Sequence, residues 1–262
     1  MNNIFNLNGR VAVITGGYGH LGSGMALALL DSGATVIVAG RTEEKFRKKF
    51  AGQSLDRLHF QEFDLSSNDS VTKGFKDIYS THQSLDILVN NGVFLRGRAQ
   101  EGLTDEEFLQ TMEGVIGTVH RCIREVTPYM KKNNYGKIVN ISSMYGMVSP
   151  NFDLYEGDDC EKYTNPPHYG AGKAAVLQLT KYYGVVLAKY GINVNAISPG
   201  PFPKSEIQQA NPAFIERLGK KNPLNRIGTP ADLDGIIKLL SSEASNFICG
   251  QNIAVDGGWT IW

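Results

Sequence analysis

The feature that most constrains the fold is a glycine-rich turn between an apolar run and a helix-like stretch near the N-terminus. In chain order the unit consists of the run 11–14, the glycines Gly16, Gly19 and Gly22, the helix-like stretch 25–31, and a second apolar run, 35–39. A strand, a tight turn, a helix and a second strand within about 30 residues form the sequence pattern of a βαβ unit. The chain therefore begins with a parallel strand pair joined by a helix.

The same alternation continues to the C-terminus. Further strand-like runs lie at residues 58–62, 87–90, 137–141, 193–197 and 252–255. Helix-length segments separate them, and continuous apolar strands are typical of a parallel sheet covered on both faces. We predict an α/β fold with a doubly wound parallel sheet of about seven strands. With 262 residues and no Pro-, Gly- or Ser-rich linker, residues 1–262 are expected to form a single domain.

Composition narrows the classes of partner. The 26 basic and 26 acidic side chains give zero formal net charge, so we expect no nucleic-acid partner. The three cysteines are far apart, which favours reduced thiols over a metal site, and we expect no metal. The N-terminus does not resemble a secretory signal, and no apolar run is long enough to span a bilayer. We therefore expect a cytoplasmic protein without a membrane partner.

The glycine-rich turn predicts a dinucleotide site. Glycines at this point permit a tight turn, close approach of the backbone to a pyrophosphate, and close packing of helix on strand. At the end of the second strand Gly40 stands where an acidic residue would bind ribose hydroxyls, and Arg41 follows it. An arginine there favours a 2′-phosphate, so we predict NADP(H), with NAD(H) possible if Arg41 is only a solvated loop charge. Asp64 is a candidate for the adenine amino group, or an ordinary turn residue.

Three residues are candidates for acid–base chemistry. Tyr169 and Lys173 are four positions apart, so on a helix they share one face. A nearby ammonium favours ionisation of a phenol, whose ordinary pKa near 10 makes it a poor proton exchanger at neutral pH. Ser143, at a strand end, is suited to donate a hydrogen bond to a substrate oxygen.

Taken together, the motifs resemble those of the short-chain dehydrogenase/reductase family, in its short single-domain form with a Rossmann-like fold. They are Thr15-Gly16 with the glycine turn, Asp64-Leu65, Asn90-Asn91-Gly92, Ile141-Ser142-Ser143, Tyr169-Gly170-Ala171-Gly172-Lys173, Asn195-Ala196-Ile197-Ser198-Pro199-Gly200 and Val255-Asp256-Gly257-Gly258. The resemblance implies an oxidoreductase acting between CH–OH and C=O groups, with Ser143, Tyr169 and Lys173 catalytic and Tyr169 and Lys173 also near the nicotinamide.

The resemblance also implies the residues that hold the cofactor, and an assembly. The remaining cofactor candidates are Gly16, Gly19, His20, Leu21, Gly22, Arg41, Asp64, Leu65, Asn90, Pro199, Gly200 and Phe202. Phe202 also begins a segment, residues 202–205, that is expected to cover the substrate. The C-terminal Asp-Gly-Gly-Trp region implies a homotetramer or homodimer.

The sequence departs from the family pattern in four places. His20 stands where short members usually carry glycine, so that the glycine spacing is that of extended members acting on nucleotide sugars. Asn90-Asn91-Gly92-Val93 replaces the usual Asn-Asn-Ala-Gly. The helix asparagine that holds a water for proton relay is absent, and Val115 occupies its place. Ser143 and Tyr169 are 26 positions apart (169 − 143), about twice the family's gap, so an inserted loop at about residues 144–168 is expected beside the active site.

This loop and one neighbouring segment supply the candidate substrate contacts. They are Arg96, Tyr155, Glu156 and His168, with Arg98 as a further cation near Arg96. An acidic loop of this length is either a substrate-selecting element or a solvated surface loop. It more loosely resembles that of reductases of bacterial surface-sugar and flagellin-modification pathways, which implies a sugar, a sugar acid or a sugar phosphate as substrate.

Three hypotheses follow. The first is an NADP(H)-dependent oxidoreductase of carbohydrate metabolism that transfers hydride between nicotinamide and a carbonyl or secondary alcohol of such a small-molecule substrate. The second is a nucleotide-sugar epimerase or dehydratase, suggested by the glycine spacing and opposed by the short C-terminal region. The third is a catalytically weak cofactor-binding sensor or scaffold, favoured by the missing asparagine and opposed by the presence of Ser143, Tyr169 and Lys173.

Overall fold

The fold is built on one parallel sheet of seven strands. The computed structural model describes residues 3–97, 102–157 and 161–262. The strands are β1 (Val11–Thr15), β2 (Thr35–Gly40), β3 (Leu58–Glu62), β4 (Ile87–Asn90), β5 (Gly136–Ile141), β6 (Ile192–Pro199) and β7 (Asn252–Val255). Their order is β3-β2-β1-β4-β5-β6-β7, and every neighbouring pair is parallel. The predicted doubly wound Rossmann-like fold is confirmed.

Helices cover both faces of this sheet. The helices in the described part of the chain are α1 (His20–Asp31), α2 (Glu43–Lys49), α3 (Asn68–His82), α4 (Asp105–Met112), α5 (Thr118–Asn133), α6 (Pro167–Ala188), α7 (Ser205–Ala210), α8 (Pro212–Lys221) and α9 (Asp234–Ser241). A π-helical turn, Glu113–Gly117, joins α4 to α5. Short 3-10 turns lie at Met144–Gly146, Phe152–Tyr155, Glu161–Tyr163, Pro230–Leu233, Glu243–Ser245 and Trp259–Ile261. No helix in the described part of the chain combines the length and apolarity needed to cross a membrane.

The apolar strand runs are explained by burial on both sides. In β1, Ala12 and Ile14 pack into the hydrophobic cluster on the face covered by α1 and α9. Val11 and Val13 point the other way, into the cluster formed with α3, α5 and α6. Because side chains alternate across a strand, a sheet covered twice needs apolar residues at every position.

The strand order also fixes where a ligand can bind. From β1 the chain first builds outward through β2 to β3, and then returns to place β4 on the other side of β1. In open α/β sheets the crevice at the carboxyl ends of the strands at such a reversal is the usual ligand site. The loops after β1, β4, β5 and β6 meet there.

Helix α1 begins five residues earlier than the sequence pattern predicts, because the glycine-rich turn runs directly into it. Gly16 has φ of +62°, a conformation that glycine adopts without strain. A Cβ at Gly22 would lie 2.5 Å from the Gly16 carbonyl oxygen, so the first turn of α1 packs against the end of β1 only with glycine there. The N-terminus of the helix therefore lies at the crevice.

Candidate active site

Ser143, Tyr169 and Lys173 meet at the carboxyl end of β5. Ser143 follows this strand by two residues, and Tyr169 and Lys173 lie one turn apart in the first half of α6. Ser143 and Tyr169 line the same cleft, and the interaction with the Ser143 hydroxyl lowers the pKa of the Tyr169 phenol. The Lys173 Nζ donates to the Ile141 carbonyl oxygen at 2.7 Å and lies 5.7 Å from the centre of the Tyr169 ring. The structure thus brings together the three residues that the sequence predicts to be catalytic.

Burial sets the protonation of this group. Burial raises the pKa of the Tyr169 phenol, and the interaction with the Ser143 hydroxyl partly opposes that shift. Burial also lowers the pKa of Lys173 to about 8. The phenol is therefore neutral at physiological pH and available as a proton donor, while the adjacent ammonium stabilises the phenolate that proton transfer leaves behind.

The catalytic cleft carries several polar side chains among apolar ones. It has a volume of about 420 Å³. Its polar lining outside the catalytic group includes Tyr145, Tyr155, Tyr163, Asn165 and Lys204. Such a lining offers several hydroxyl and amide groups and one ammonium, which together suit a hydroxylated, anionic ligand.

Tyr145 and Tyr155 form a buried hydroxyl pair in the wall of this cleft. Their hydroxyl oxygens are 2.5 Å apart, and each residue is 6% exposed. Burial is the main cause that raises the pKa of both phenols, so both stay protonated. Two protonated hydroxyls carry two donor hydrogens, and only one is used between them. The pair therefore keeps one O–H donor for a ligand.

A second pocket of about 600 Å³ lies beside the cleft, toward β2 and β3. Asn91, Val93 and Lys204 line both spaces, so the two adjoin each other. Among the predicted cofactor residues, Gly16, Gly19, Arg41, Asp64 and Leu65 line this pocket. His20, Leu21, Pro199, Gly200 and Phe202 line the catalytic cleft.

The adjoining pocket fits a dinucleotide. Its glycine cradle leaves no room for side chains at Gly22, and α1 directs its free amide groups toward the site. The His20 Nε2 atom is buried without a hydrogen-bond partner among the described residues. An unpaired donor or acceptor beside a helix N-terminus is well placed for the phosphates of a bound cofactor.

Asn91 is a site residue that the sequence analysis did not select. Its Nδ2 donates to the carbonyl oxygens of Thr15 and Gly16 at 3.1 and 3.2 Å, and so holds the glycine-rich turn. The predicted Asn90 is buried instead, and its Nδ2 donates to Asn140 Oδ1 at 2.8 Å. Adjacent strand residues point to opposite faces, and the Asn-Asn pair alone does not show which one reaches the pocket.

Arg121 holds the Leu65 side of the pocket, and the sequence analysis did not select this residue either. This largely buried arginine of α5 donates to the Leu65 carbonyl, to Asn68 and to Glu113 of the π-helical turn. Asp64 accepts from the backbone and hydroxyl of Ser66, which lowers the pKa of the Asp64 carboxyl. These contacts order the loop after β3.

Three of the four candidate substrate contacts lie outside the catalytic cleft. Tyr155 lines it, whereas Arg96 lines the dinucleotide pocket and Glu156 is exposed. His168 is fully buried, with its Nε2 2.7 Å from the Arg96 carbonyl oxygen and its ring stacked on Phe108. One helical position separates it from Tyr169, about 100°, which turns it to another face of α6. Arg98 and residues 158–160 of the acidic loop lie outside the described residues.

Val115, which stands in place of the asparagine of the family pattern, lies in the π-helical turn. Its side chain is fully buried, and its Cβ and Cγ1 lie 3.0 Å from where a Cβ on Gly172 would be. An apolar contact with Gly172 of α6 therefore lies where the family pattern has a polar side chain.

Comparison with known proteins agrees with this geometry. The family model described as enoyl-(acyl carrier protein) reductase matches residues 19–260. The chain is 32% identical, over 98% of both sequences, to a 2-dehydro-3-deoxy-D-gluconate 5-dehydrogenase of Dickeya dadantii. It is 30% identical to a 3-oxoacyl-[acyl-carrier-protein] reductase of Staphylococcus aureus, over 95% of this chain and 97% of that one.

A solved structure is similar throughout. A gluconate 5-dehydrogenase from Burkholderia cenocepacia, in complex with NADP and tartrate, has a TM-score of 0.85 and 30% sequence identity, covering 98% of this chain and 97% of that one.

The sheet order, the crevice and the Ser–Tyr–Lys group define the class: an oxidoreductase that acts between an alcohol and a carbonyl. Within that class the chain belongs to the short-chain dehydrogenase/reductase family, in its short single-domain form.

Proposed function

We propose that the protein is an NADP(H)-dependent oxidoreductase that interconverts a secondary alcohol and a ketone on a sugar acid or a closely related sugar or sugar phosphate. One observation carries the proposal: the Ser143–Tyr169–Lys173 group opens into a cleft whose lining combines tyrosine hydroxyls, Asn165 and the Lys204 ammonium. The similarity to proteins named as gluconate and deoxygluconate dehydrogenases supports a polyhydroxylated acid.

The mechanism follows from the positions of the three side chains. When bound, the nicotinamide supplies or accepts the hydride. In the reducing direction Ser143 and Tyr169 bind the substrate carbonyl oxygen, and Tyr169 gives that oxygen its phenolic proton. Lys173 stabilises the resulting phenolate by its charge. In the oxidising direction Tyr169 accepts the proton of the alcohol.

The cofactor residues are assigned on the same basis. The glycine-rich turn and the N-terminus of α1 would hold the pyrophosphate, with His20 and Leu21 beside it. Arg41 would face the 2′-phosphate and Asp64 and Leu65 the adenine. Pro199, Gly200 and Phe202 would line the nicotinamide. The preference for NADP(H) rests on Arg41 and on the absence of an acidic side chain at position 40.

The test is turnover against a panel with NADPH or NADP+, comparing wild type with Tyr169→Phe. The panel includes D-gluconate, 5-keto-D-gluconate, 2-dehydro-3-deoxy-D-gluconate, sugar phosphates and acetoacetyl-CoA. We expect turnover of a sugar acid that falls at least about 100-fold in Tyr169→Phe, with NADPH affinity within about twofold of wild type. The control is Tyr79→Phe, which removes a hydroxyl bonded to Lys132 away from the cleft. Cofactor binding without any turnover would favour a sensor instead.

A second candidate is the reduction of 3-oxoacyl thioesters. An apolar groove of about 460 Å³, lined by Met147, Val148, Phe152 and Pro166 among others, adjoins the cleft and shares Tyr145 and Asn165 with it. Such a groove suits an acyl chain, and the chain is similar to 3-oxoacyl reductases. Turnover of acetoacetyl-CoA without turnover of any sugar acid would establish this candidate.

We also propose that residues 1–262 act as one cytoplasmic domain and that it forms a homodimer or homotetramer. The second half of α6 exposes Tyr182 and Val185 at 61% and 80%, and the C-terminal Ile261 and Trp262 are exposed at 84% and 68%. Such apolar exposure is typical of a surface that another subunit covers. Light scattering of the purified protein measures the assembly mass directly.

A further inference from the structure

We propose that Tyr18 determines the cofactor specificity of this protein, by excluding any side chain at position 40 and by donating its phenolic proton to the 2′-phosphate of NADP(H). The inference rests on the proposed NADP(H) preference and deepens it. Tyr18 lies within the glycine-rich turn, between Gly17 and Gly19.

The first observation is steric. The Tyr18 ring lies against the backbone of Gly40, the last residue of β2. A Cβ built on Gly40 would lie 2.4 Å from Tyr18 Cε1 and 2.8 Å from its Cζ and Oη atoms. Real Cβ atoms do not approach a ring this closely, so a carboxylate at position 40 requires Tyr18 to move. An acidic residue at position 40 would therefore displace the Tyr18 ring and its hydroxyl from the place that they occupy.

The second observation is a hydrogen bond. The Tyr18 hydroxyl oxygen accepts from the Arg41 backbone amide at 3.1 Å. This contact ties the glycine-rich turn to the first residue after β2 and fixes the backbone from which the Arg41 side chain extends. Both residues line the dinucleotide pocket.

The third observation concerns the phenolic proton. Among the residues that the structure describes, the bond from Arg41 is the hydrogen bond that Tyr18 Oη makes, and there the oxygen is the acceptor. The O–H hydrogen is still free to donate. It lies at the end of β2, where a 2′-phosphate beside Arg41 would present an oxygen. A hydroxyl donor to a phosphate makes a charge-assisted hydrogen bond, which a ribose 2′-hydroxyl matches only weakly.

The experiment measures dissociation constants of NADPH and NADH by calorimetry for wild type and variants. In Tyr18→Phe we expect NADPH affinity to fall roughly tenfold or more, with NADH affinity within about twofold, because the ring stays and only the donor is lost. Tyr79→Phe, which removes a hydroxyl bonded to Lys132 Nζ in α5, is the matched control and leaves both constants unchanged.

The steric part is tested by a double-mutant comparison. We expect Gly40→Asp alone to weaken both cofactors roughly tenfold or more, since the new side chain meets Tyr18 and repels the phosphate. In Tyr18→Ser/Gly40→Asp the space is vacated, and NADH affinity should recover to the wild-type value or better while NADPH stays weak. Such recovery is a coupling between the two positions.

The outcomes separate the inference from the proposed function. Equal losses for both cofactors in Tyr18→Phe, or no loss, would overturn the phosphate contact even where wild type prefers NADPH. NADH binding by Gly40→Asp as tight as by the double variant would overturn the steric role. A wild type that does not prefer NADPH would overturn the proposed cofactor preference and the phosphate contact with it, and the two Gly40 variants would still decide the steric role.

Discussion

At the scale of single residues, Lys173 is proposed to act on both the protonation of Tyr169 and the binding of the cofactor. Its ammonium is buried and has the Ile141 carbonyl as hydrogen-bond acceptor, and burial lowers its pKa to about 8. Keeping this charge buried therefore costs free energy. The charge lies near the Tyr169 phenol, where it would stabilise the ionised form of that phenol.

Replacing Lys173 tests this double role. In Lys173→Met we expect kcat/KM to fall about 100-fold or more, because the phenolate loses its neighbouring charge. NADPH affinity should also fall, since the resemblance to the family places the lysine on the nicotinamide ribose, whereas Tyr169→Phe should retain it. Steady-state rates and cofactor titration measure the two effects. Lys181→Met, on the exposed side of the same helix, is the control; a Lys173→Met variant with wild-type rates would contradict the assignment.

At the scale of elements, the inserted segment between β5 and α6 is the part whose fold could not be predicted from the sequence. The strands were predictable to within one or two residues, because burial on both faces forces continuous apolar runs. The Tyr-x-x-x-Lys spacing likewise placed two side chains on one face of α6. The insertion offered only an acidic composition, and its fold depends on a contact with a distant element: Tyr155 packs its ring 5.4 Å from that of Phe214 in α8. Contacts so far apart in sequence leave no local pattern.

The same limit applies to the candidate site. The glycines and the candidate catalytic residues follow spacing rules, so the sequence could predict them. Asn91, Tyr18 and Lys204 reach the crevice only because β1, β2, β4 and β6 end at the same edge of the sheet. His168 shows the converse, since its neighbour in sequence lines the cleft while its own buried ring stacks on Phe108 of α4.

The role of the Tyr155 hydroxyl in the inserted segment can be tested by mutation. In Tyr155→Phe the hydroxyl pair with Tyr145 is lost, and we expect KM for a sugar-acid substrate to rise roughly tenfold while NADPH affinity stays unchanged. Phe152→Ala is a matched control in the same 3-10 turn, because Phe152 is 49% exposed and outside the polar cleft. Substrate kinetics of both variants measure the difference. An equal effect of the two variants on KM would mean that the turn acts as a whole and that the Tyr155 hydroxyl has no separate role.

At the scale of the whole molecule, the two ends of the sheet differ in the polar groups that they carry. The carboxyl ends of the strands carry the crevice, and the amino end of β5 carries a second buried lysine, Lys137. Its Nζ donates to Asn193 Oδ1 at 2.8 Å and to Asn246 Oδ1 at 2.7 Å. Lys137 therefore links β5, the amino end of β6 and the turn before β7. Burial is the largest cause that lowers the pKa of Lys137 to about 8.

This shift predicts a pH dependence of stability that leaves the active site untouched. In the unfolded chain a lysine keeps its ordinary pKa near 10.4, so between about pH 8 and 10 the unfolded state binds more protons at this position than the folded state. Because of this group, the free energy of unfolding should therefore rise with pH across that window, and the cost of burying its charge is fully present below pH 8.

The variant Lys137→Met tests this pH dependence, because it should remove the contribution of Lys137 to the slope of the unfolding free energy against pH. At pH 7 it should change the stability little or lower it by about 1–3 kcal/mol, because two amide oxygens lose their donor while a costly charge is also removed. Denaturant unfolding from pH 7 to 10 measures the slope, and kcat and NADPH affinity should stay at wild-type values. An unchanged slope would show that Lys137 does not titrate in this window, and a loss of activity would show that the two ends of the sheet are coupled.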